Sequence, residues 1–116
     1  MATLIVLFNL KSGVSKTRYE NWAKTTDLKI VRRLKSIDSF EVFESLGLLG
    51  SDTNPPYEYV EVLQVNDMAV FGKETSTETM KSVAEQFQGF ADNPLFMLTK
   101  NIETITIMAF GLSKRS

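Results

Sequence analysis

The chain has 116 residues, of which 43% are hydrophobic and 23% charged, and this composition is typical of one globular domain. The net charge of −1 comes from 13 basic and 14 acidic residues mixed along the chain, so a nucleic-acid partner is not expected. Cysteine and histidine are absent, which excludes a disulfide, a thiolate nucleophile, a Cys/His zinc site and a Ser-His-Asp triad, and we expect neither a metal nor a cofactor.

The first predicted element is a strand over residues 3–9, with the sequence TLIVLFN. Its apolar run is too short to span a membrane and lacks the basic flank and cleavage site of a signal peptide. We therefore expect no membrane association, and a cytoplasmic location fits a chain without cysteine.

The first helix is predicted to begin after Ser15, a residue type that caps helices. Tyr19, Trp22, Ala23 and Thr26 then follow at the spacing of one helical face. Asp27 is predicted to cap a second short segment that carries Ile30, Val31 and Leu34.

The middle of the chain predicts two strands, over residues 39–45 and 57–65. The glycine- and proline-rich stretch 47–56 between them reads as a loop. The Asn66-Asp67 pair ends the third strand and is predicted to cap a short helix that extends to Phe71.

A second long helix is predicted over about residues 76–88, because Thr75 and Glu78 have capping-box spacing and apolar residues repeat at helical intervals behind them. Gly89 is expected to end it, and Asn93-Pro94 to form a turn before a fourth strand over residues 95–99. Residues 101–116 are predicted to form a C-terminal extension with an extra strand and a frayed tail.

Two strand–helix–strand units in this order predict an α+β domain of ferredoxin-like type, βαββαβ, spanning residues 1–116. Right-handed crossovers place both long helices on one face of a four-stranded antiparallel sheet, with the first and third strands at its centre. Those two strands are apolar on both faces, whereas a face exposed to water should be polar. The sequence therefore predicts a homodimer that covers the second face.

Alternation along the central strands assigns side chains to these two faces. The helix side is predicted to carry Leu4, Val6, Phe8, Val60 and Val62. The dimer interface is predicted to carry Ile5, Leu7, Tyr59, Glu61 and Leu63.

Several segments of the chain resemble the RedY-like proteins of prodiginine pigment pathways, within the dimeric α/β-barrel superfamily. The resemblance covers about residues 2–100 and is carried by TLIVLFNLKSGVS, LKSIDSFEV, GLLG, PPYEYVEV, VNDM, ETSTETM and FQGFADNPLF. It implies a dimer in which two sheets close an eight-stranded barrel, and a role near ring closure in the bipyrrole half of a prodigiosin-type pigment. Other members of the superfamily use a histidine in the first strand or a tyrosine–histidine pair. The matching positions are Leu4 and Phe71 here, so those roles cannot be carried over.

Fold relatives keep a ligand pocket between helices and sheet, and an aromatic lining there would suit a small planar pyrrole-type ligand. The candidate binding residues are Trp22, Phe8, Val60, Val62, Phe71, Met80 and Phe87. Phe8 and Phe87 are equally typical of plain core, and for Trp22 the two interpretations are balanced.

Tyr19 and Asp27 are the candidate catalytic residues, as proton donor and acceptor. For Asp27 a structural role as a helix cap is the preferred interpretation, although burial against the aromatics would raise its pKa into the catalytic range. Glu61, with Tyr57 and Tyr59, is expected to make hydrogen bonds between subunits.

Three functions remain open at this stage. The first is a cofactor-free enzyme for cyclisation or dehydration of a pyrrole-bearing intermediate, in which holding a reactive chain folded supplies most of the catalysis. The second is a carrier that shields such an intermediate, and the third is a cofactor-independent monooxygenase.

Overall fold

Four antiparallel strands form one sheet, and the computed structural model describes this sheet and its helices over residues 1–103. The strands are β1 (Ala2–Leu10), β2 (Ile37–Glu44), β3 (Tyr59–Val65) and β4 (Ala91–Thr99), in the spatial order β2-β3-β1-β4. The predicted βαββαβ order, with the first and third strands at the centre, is confirmed. The extra strand predicted in the 101–116 extension falls outside the described residues from position 104 onward.

The first crossover is one continuous helical stretch in three parts. It consists of α1 (Lys16–Trp22), a π-helical segment (Ala23–Asp27) and α2 (Leu28–Val31). Ser15 caps α1 as predicted, since its side chain accepts a hydrogen bond from the Arg18 amide. Asp27 does not cap α2: its backbone is helical and its side chain makes no capping bond. The cap prediction for Asp27 was wrong because the chain continues through it as helix and turns its side chain inward.

The second crossover contains α3 (Met68–Glu74) and α4 (Glu78–Phe90). Asp67 caps α3 by accepting from the amides of Ala69 and Val70. Thr77, and not Thr75, caps α4 by accepting from the Met80 amide. Gly89 does not end α4, which runs on to Phe90 because that ring packs against the core.

The turn predicted at Asn93-Pro94 lies inside β4 instead. Asn93 has a φ of 45°, a left-handed conformation that asparagine tolerates better than most residues. The β1–β4 pairing shifts register between Leu7 and Asn9 at this point. Since β4 is an edge strand, Pro94 removes no hydrogen bond from the centre of the sheet. The residues that predicted a turn therefore form a bulge within β4.

Both long helical stretches cover one face of the sheet and leave the other open. Residues directly opposite in an antiparallel pair share a face, and β1 pairs Leu4 with Leu63, Val6 with Glu61 and Phe8 with Tyr59. The buried face of β3 consequently carries Tyr59, Glu61, Leu63 and Val65. Among residues 1–103 no helix is long and apolar enough to cross a membrane.

The predicted face assignment of β3 is thus reversed. Val60 and Val62 pair with Leu7 and Ile5 on the open face, so they do not line a pocket under the helices. Tyr59, Glu61 and Leu63 face the helices and cannot lie on the open face. The alternation along β3 was predicted correctly, but its two faces were exchanged. Val60 and Val62 are more typical of a buried core than the alternate face, which includes Glu61.

Candidate functional site

A pocket of about 160 Å³ opens between the sheet and the helical layer. Its walls are almost entirely apolar and come from all four strands and from the helices of both crossovers. Leu4, Val6, Phe71, Met80 and Phe87 are representative wall residues. Two carboxyl groups, from Asp27 and Glu61, are also part of the lining. An apolar pocket with a few convergent polar groups is the usual form of a small-molecule site.

Asp27 reaches the pocket because it ends the π-helical segment. The Leu28 amide bonds to the Ala23 carbonyl five residues earlier, so this turn holds one residue more than an α-helical turn. Asp27 is only 5% exposed. Burial raises the pKa of its carboxyl from the ordinary 3.8 to about 7, since a charge is poorly solvated in apolar surroundings.

Glu61 lies in the middle of β3, between Val6 of β1 and Val42 of β2. It is 6% exposed, and its Oε2 has no hydrogen-bond partner among the described residues. Burial and then the charge of Asp27 raise the pKa of Glu61 to about 8, and the Tyr19 phenol partly opposes this rise. Such an unpaired buried carboxyl is costly for folding, so its presence calls for a functional explanation.

Tyr19, which lies on α1, is next to the carboxyl groups of Asp27 and Glu61. Its ring is fully buried in an aromatic cluster, edge-on to Phe8 at 5.5 Å and 4.8 Å from Tyr59 between ring centroids. Its hydroxyl also lacks a partner among residues 1–103. Burial, followed by the charges of Glu61 and Asp27, raises the pKa of the phenol above its usual value. Tyr19 is therefore a neutral hydroxyl at physiological pH, oriented toward Glu61 without a formed hydrogen bond.

The structure brings some predicted site residues together and separates others. Phe71, Met80, Phe87 and Asp27 line the pocket. Phe8 lies beneath it in the core, stacked on Tyr59.

Trp22 was predicted to face the sheet beside Leu4 and Val6, but the structure places it elsewhere. Its Nε1 donates to Gln86 at 2.6 Å, and it lines an outer groove with Arg18 and Phe90. Trp22 shares a helical stretch with Asp27, but the two side chains line different cavities.

Glu61 is the residue that sequence analysis placed in the wrong role. The available signal was a glutamate in the middle of a strand whose neighbours are apolar and whose partner position on β1 is Val6. Among residues 1–103 no three His, Cys, Asp or Glu side chains cluster closely enough to hold a metal ion.

Comparison with known proteins supports the fold and identifies a family. HapK from Hahella chejuensis superposes with a TM-score of 0.70 and 25% identity, over 90% of this chain and 95% of that one. A dimeric ferredoxin-like protein of unknown function from Thermobifida fusca gives 0.66 and 12%, over 84% and 87%.

SnoaB, a cofactor-independent oxygenase from Streptomyces nogalater, gives a TM-score of 0.69 and 11% identity, over 90% of this chain and 96% of that one. Identities this low concern the fold alone, and they agree with the predicted ferredoxin-like architecture. A search of curated proteins finds no match. The family model described as REDY-like protein HapK matches residues 2–102, and the chain therefore belongs to this family, as its sequence motifs indicated.

Proposed function

We propose that the protein is a cofactor-free enzyme that promotes ring closure and dehydration of a pyrrole-bearing intermediate in the bipyrrole branch of a prodigiosin-type pigment pathway. The observation that carries the chemistry is the buried carboxyl pair, Asp27 and Glu61, in the wall of an apolar pocket. The pathway assignment rests on family membership and on the pathway resemblance of the motifs.

The two carboxyl groups have the properties of an acid and a base at neutral pH. With pKa values of about 7 for Asp27 and about 8 for Glu61, the pair holds close to one proton near pH 7.5, mostly on Glu61. Carboxyl groups in different environments commonly divide the acid and base roles in this way. Because the two groups interact, the pair titrates as a unit.

A dehydrative ring closure uses one acid and one base. A substrate nitrogen adds to a carbonyl carbon to form a C–N bond, and a proton passes from that nitrogen to the carbonyl oxygen, which becomes a hydroxyl group. Glu61 then donates its proton to that hydroxyl, the C–O bond breaks and water leaves. Asp27 accepts the proton that the ring loses, so the pair ends with one proton, as it began. The Tyr19 phenol stabilises Glu61 while it is charged.

The apolar wall supplies the rest of the catalysis. Phe71, Met80 and Phe87 present aromatic and thioether surfaces to a flat ligand. Holding the reactive chain folded removes entropy from the barrier, an effect worth roughly 7–11 kcal/mol in favourable cases. No cofactor is required for either contribution.

We also propose that the functional unit is a homodimer joined through the open face of the sheet. That face carries Ile5, Leu7, Val60, Val62 and Met97. Leu95 and Met97 on its edge strand are 47% and 44% exposed in one subunit. An apolar face of this kind is normally covered by a partner, and the Thermobifida fusca relative of the same fold is described as dimeric.

The second candidate is a carrier that binds the intermediate without converting it. The apolar pocket favours this function equally, because binding needs no acid–base pair. The oxygenase alternative has only the fold of the Streptomyces nogalater protein in its favour.

The deciding experiment is gene deletion, isolation of the intermediate that accumulates, and incubation of that intermediate with purified protein. Mass spectrometry should detect loss of water by the wild type. Asp27→Asn and Glu61→Gln should each slow the reaction about 10²- to 10⁴-fold.

Asp52→Asn and Glu85→Gln are the matched controls, since they make the same substitutions at exposed positions, and both should keep full rate. A wild type that binds the intermediate and never converts it is a carrier. Full rate in both pocket variants would mean that the carboxyl pair is not catalytic.

A further inference from the structure

We propose that the pocket selects a ligand whose ring carries a positively charged nitrogen, held by Glu61 and Asp27, and rejects anionic ligands. This inference deepens the proposed function and rests on the same pocket being the binding site. It names the charge and size of the species that the pocket holds most tightly, which in the proposed reaction is the cation formed after ring closure and not the neutral substrate.

The charge balance of the pocket wall is the first argument. Its polar side chains are Asp27, Glu61 and Gln88, and no lysine or arginine of the described residues lines it. Glu61 Oε2 is buried without a partner within residues 1–103. A buried carboxylate is stable only when it is paired. The described residues supply no cation to this wall, so we assign the complementary charge to the ligand.

The surroundings of Glu61 support this argument from every packed element. Its neighbours across the sheet are Val6 and Val42. The titratable groups that act on it are Asp27 from the π-helical segment and Tyr19 from α1, and α4 contributes Gln88 as its polar wall residue. Lys24, Lys29 and Arg32 from the same crossover are all absent from the pocket wall, and Arg32 donates its Nε to the Phe40 carbonyl.

The size and walls of the pocket limit the ligand further. A dry cavity of about 150 Å³ accepts a benzene-sized ring, and this pocket measures about 160 Å³. One ring therefore fits inside, and a larger molecule extends through the opening. Phe71, Phe87 and Phe96 are part of the wall, and aromatic faces attract cations.

A cation also arises in the proposed reaction. When the hydroxyl of the ring-closed adduct leaves as water, the nitrogen lone pair forms the new C=N bond and the nitrogen becomes an iminium ion. Glu61 has just given up its proton at this moment and is negative. The two charges then face each other in an apolar pocket, where such attraction is stronger than in water. A site that prefers cations would stabilise this species more than its neutral precursor.

Three small probes of one shape and different charge test the inference. Benzamidine is a planar cation, benzamide its neutral analogue and benzoate an anion. Isothermal titration calorimetry at about pH 8 should show benzamidine binding roughly ten- to a hundredfold more tightly than benzamide, as expected for charge-assisted hydrogen bonds, with no binding of benzoate. The preference should grow between about pH 6 and about pH 8.5 as the pair loses its proton.

Variants assign the preference to the carboxyl pair. Glu61→Gln should reduce the ratio of benzamidine to benzamide affinity at least about tenfold, Asp27→Asn should reduce it as well, and Glu85→Gln should leave it unchanged. Circular dichroism melts establish that each variant is folded. If Glu61→Gln does not fold, Asp27→Asn and the pH dependence of the wild type still decide the question.

Equal binding of benzamide and benzamidine at about pH 8, tight binding of benzoate, or no binding of any probe at millimolar concentration would each overturn the inference. Failure of the proposed enzyme function would give a result that differs from failure of the charge selectivity. A cation-selective protein that never converts the accumulated intermediate refutes the enzyme and keeps the selectivity, while turnover without selectivity does the reverse.

Discussion

The two faces of the sheet differ in one respect that matters for function. The covered face has a carboxyl group at its centre, Glu61, with Val6 opposite it on β1. On the open face the two central strands carry aliphatic pairs, Val62 with Ile5 and Val60 with Leu7, and the Glu41 carboxyl lies beside Val62 on the edge strand β2. Adjacent residues of β3 thus face different surroundings, since Glu61 points to the helices and Val62 to the open side of the sheet.

This difference separates two tasks that a small domain has to combine. A carboxyl group under the helices lowers stability, because burial raises its pKa and leaves one oxygen without a partner in the described part of the chain. The open face keeps β1 and β3 aliphatic and has its carboxyl group, Glu41, on the exposed edge strand β2, so its centre is suited to association. The comparison is the reason for proposing chemistry at the covered face and assembly at the open one.

The largest expected effect comes from placing the same charge on each face in turn. Leu63→Asp buries an unpaired carboxylate beneath the helices, since Leu63 is 6% exposed, and should unfold the subunit. Val62→Asp puts the carboxylate on the open face and should leave the fold intact while separating the dimer. Light scattering with circular dichroism distinguishes the two outcomes. A Val62→Asp protein that stays dimeric would show that the open face is not the interface.

The next effect is a pH dependence of stability that belongs to Glu61. Its pKa is raised from 4.5 to about 8 on folding, so between these values the unfolded chain loses the proton first. The free energy of unfolding should therefore fall as the pH rises from about 4.5 to about 8 and level off above that.

Glu61→Gln removes this contribution. Relative to wild type, the variant should gain stability from about pH 5 to about pH 8, by an amount on the order of a few kcal/mol. Urea unfolding of both proteins at several pH values measures the difference, in which contributions from groups that do not interact with Glu61 cancel. Parallel curves would indicate that Glu61 ionises normally in the folded protein.

Two buried tyrosines give a smaller effect with opposite signs. The Tyr19 hydroxyl has no partner among the described residues, whereas the Tyr59 hydroxyl donates to Glu20 at 2.6 Å. Tyr19→Phe should leave the free energy of unfolding unchanged or raise it by about 1 kcal/mol, and Tyr59→Phe should lower it by about 1 kcal/mol. Thermal melts measure both. Equal destabilisation by the two substitutions would mean that Tyr19 has a bonding partner in solution.

The smallest expected effect concerns Trp22. Because it lies in the groove with Arg18 and Phe90, Trp22→Ala should change benzamidine affinity by less than about twofold. Phe71→Leu, which alters the pocket wall, should weaken it more. Calorimetric titration of both variants makes the comparison. A larger loss of affinity with Trp22→Ala would indicate that the ligand binds in the groove beside Trp22 and not in the pocket.

The sequence was sufficient for the order of strands and helices, because hydrophobic periodicity and caps such as Ser15 and Asp67 act locally. It was insufficient for the face assignment of β3. That assignment depends on which partner each residue has on β1, and the pairing of Val6 with Glu61 is a long-range property.

The candidate site was only partly predictable for the same reason. Asp27 was found because an aspartate follows an aromatic helical face, but its burial depends on a π-helical turn that no local pattern indicated. The Asn93-Pro94 pair does bend the backbone, but it forms a bulge within β4 instead of a turn before that strand. The side chains that were placed wrongly are those whose direction is set by distant contacts.

The most direct test of the account is a titration of the carboxyl groups themselves. Carbon-13 NMR of protein labelled in aspartate and glutamate, with Asp27→Asn and Glu61→Gln for assignment, follows each group through its ionisation. The account predicts two transitions in the wild type, near pH 7 and near pH 8, and a single transition in each variant. If both groups ionise below about pH 5, as exposed carboxyls do, the pair cannot exchange protons at neutral pH and the proposed chemistry is wrong.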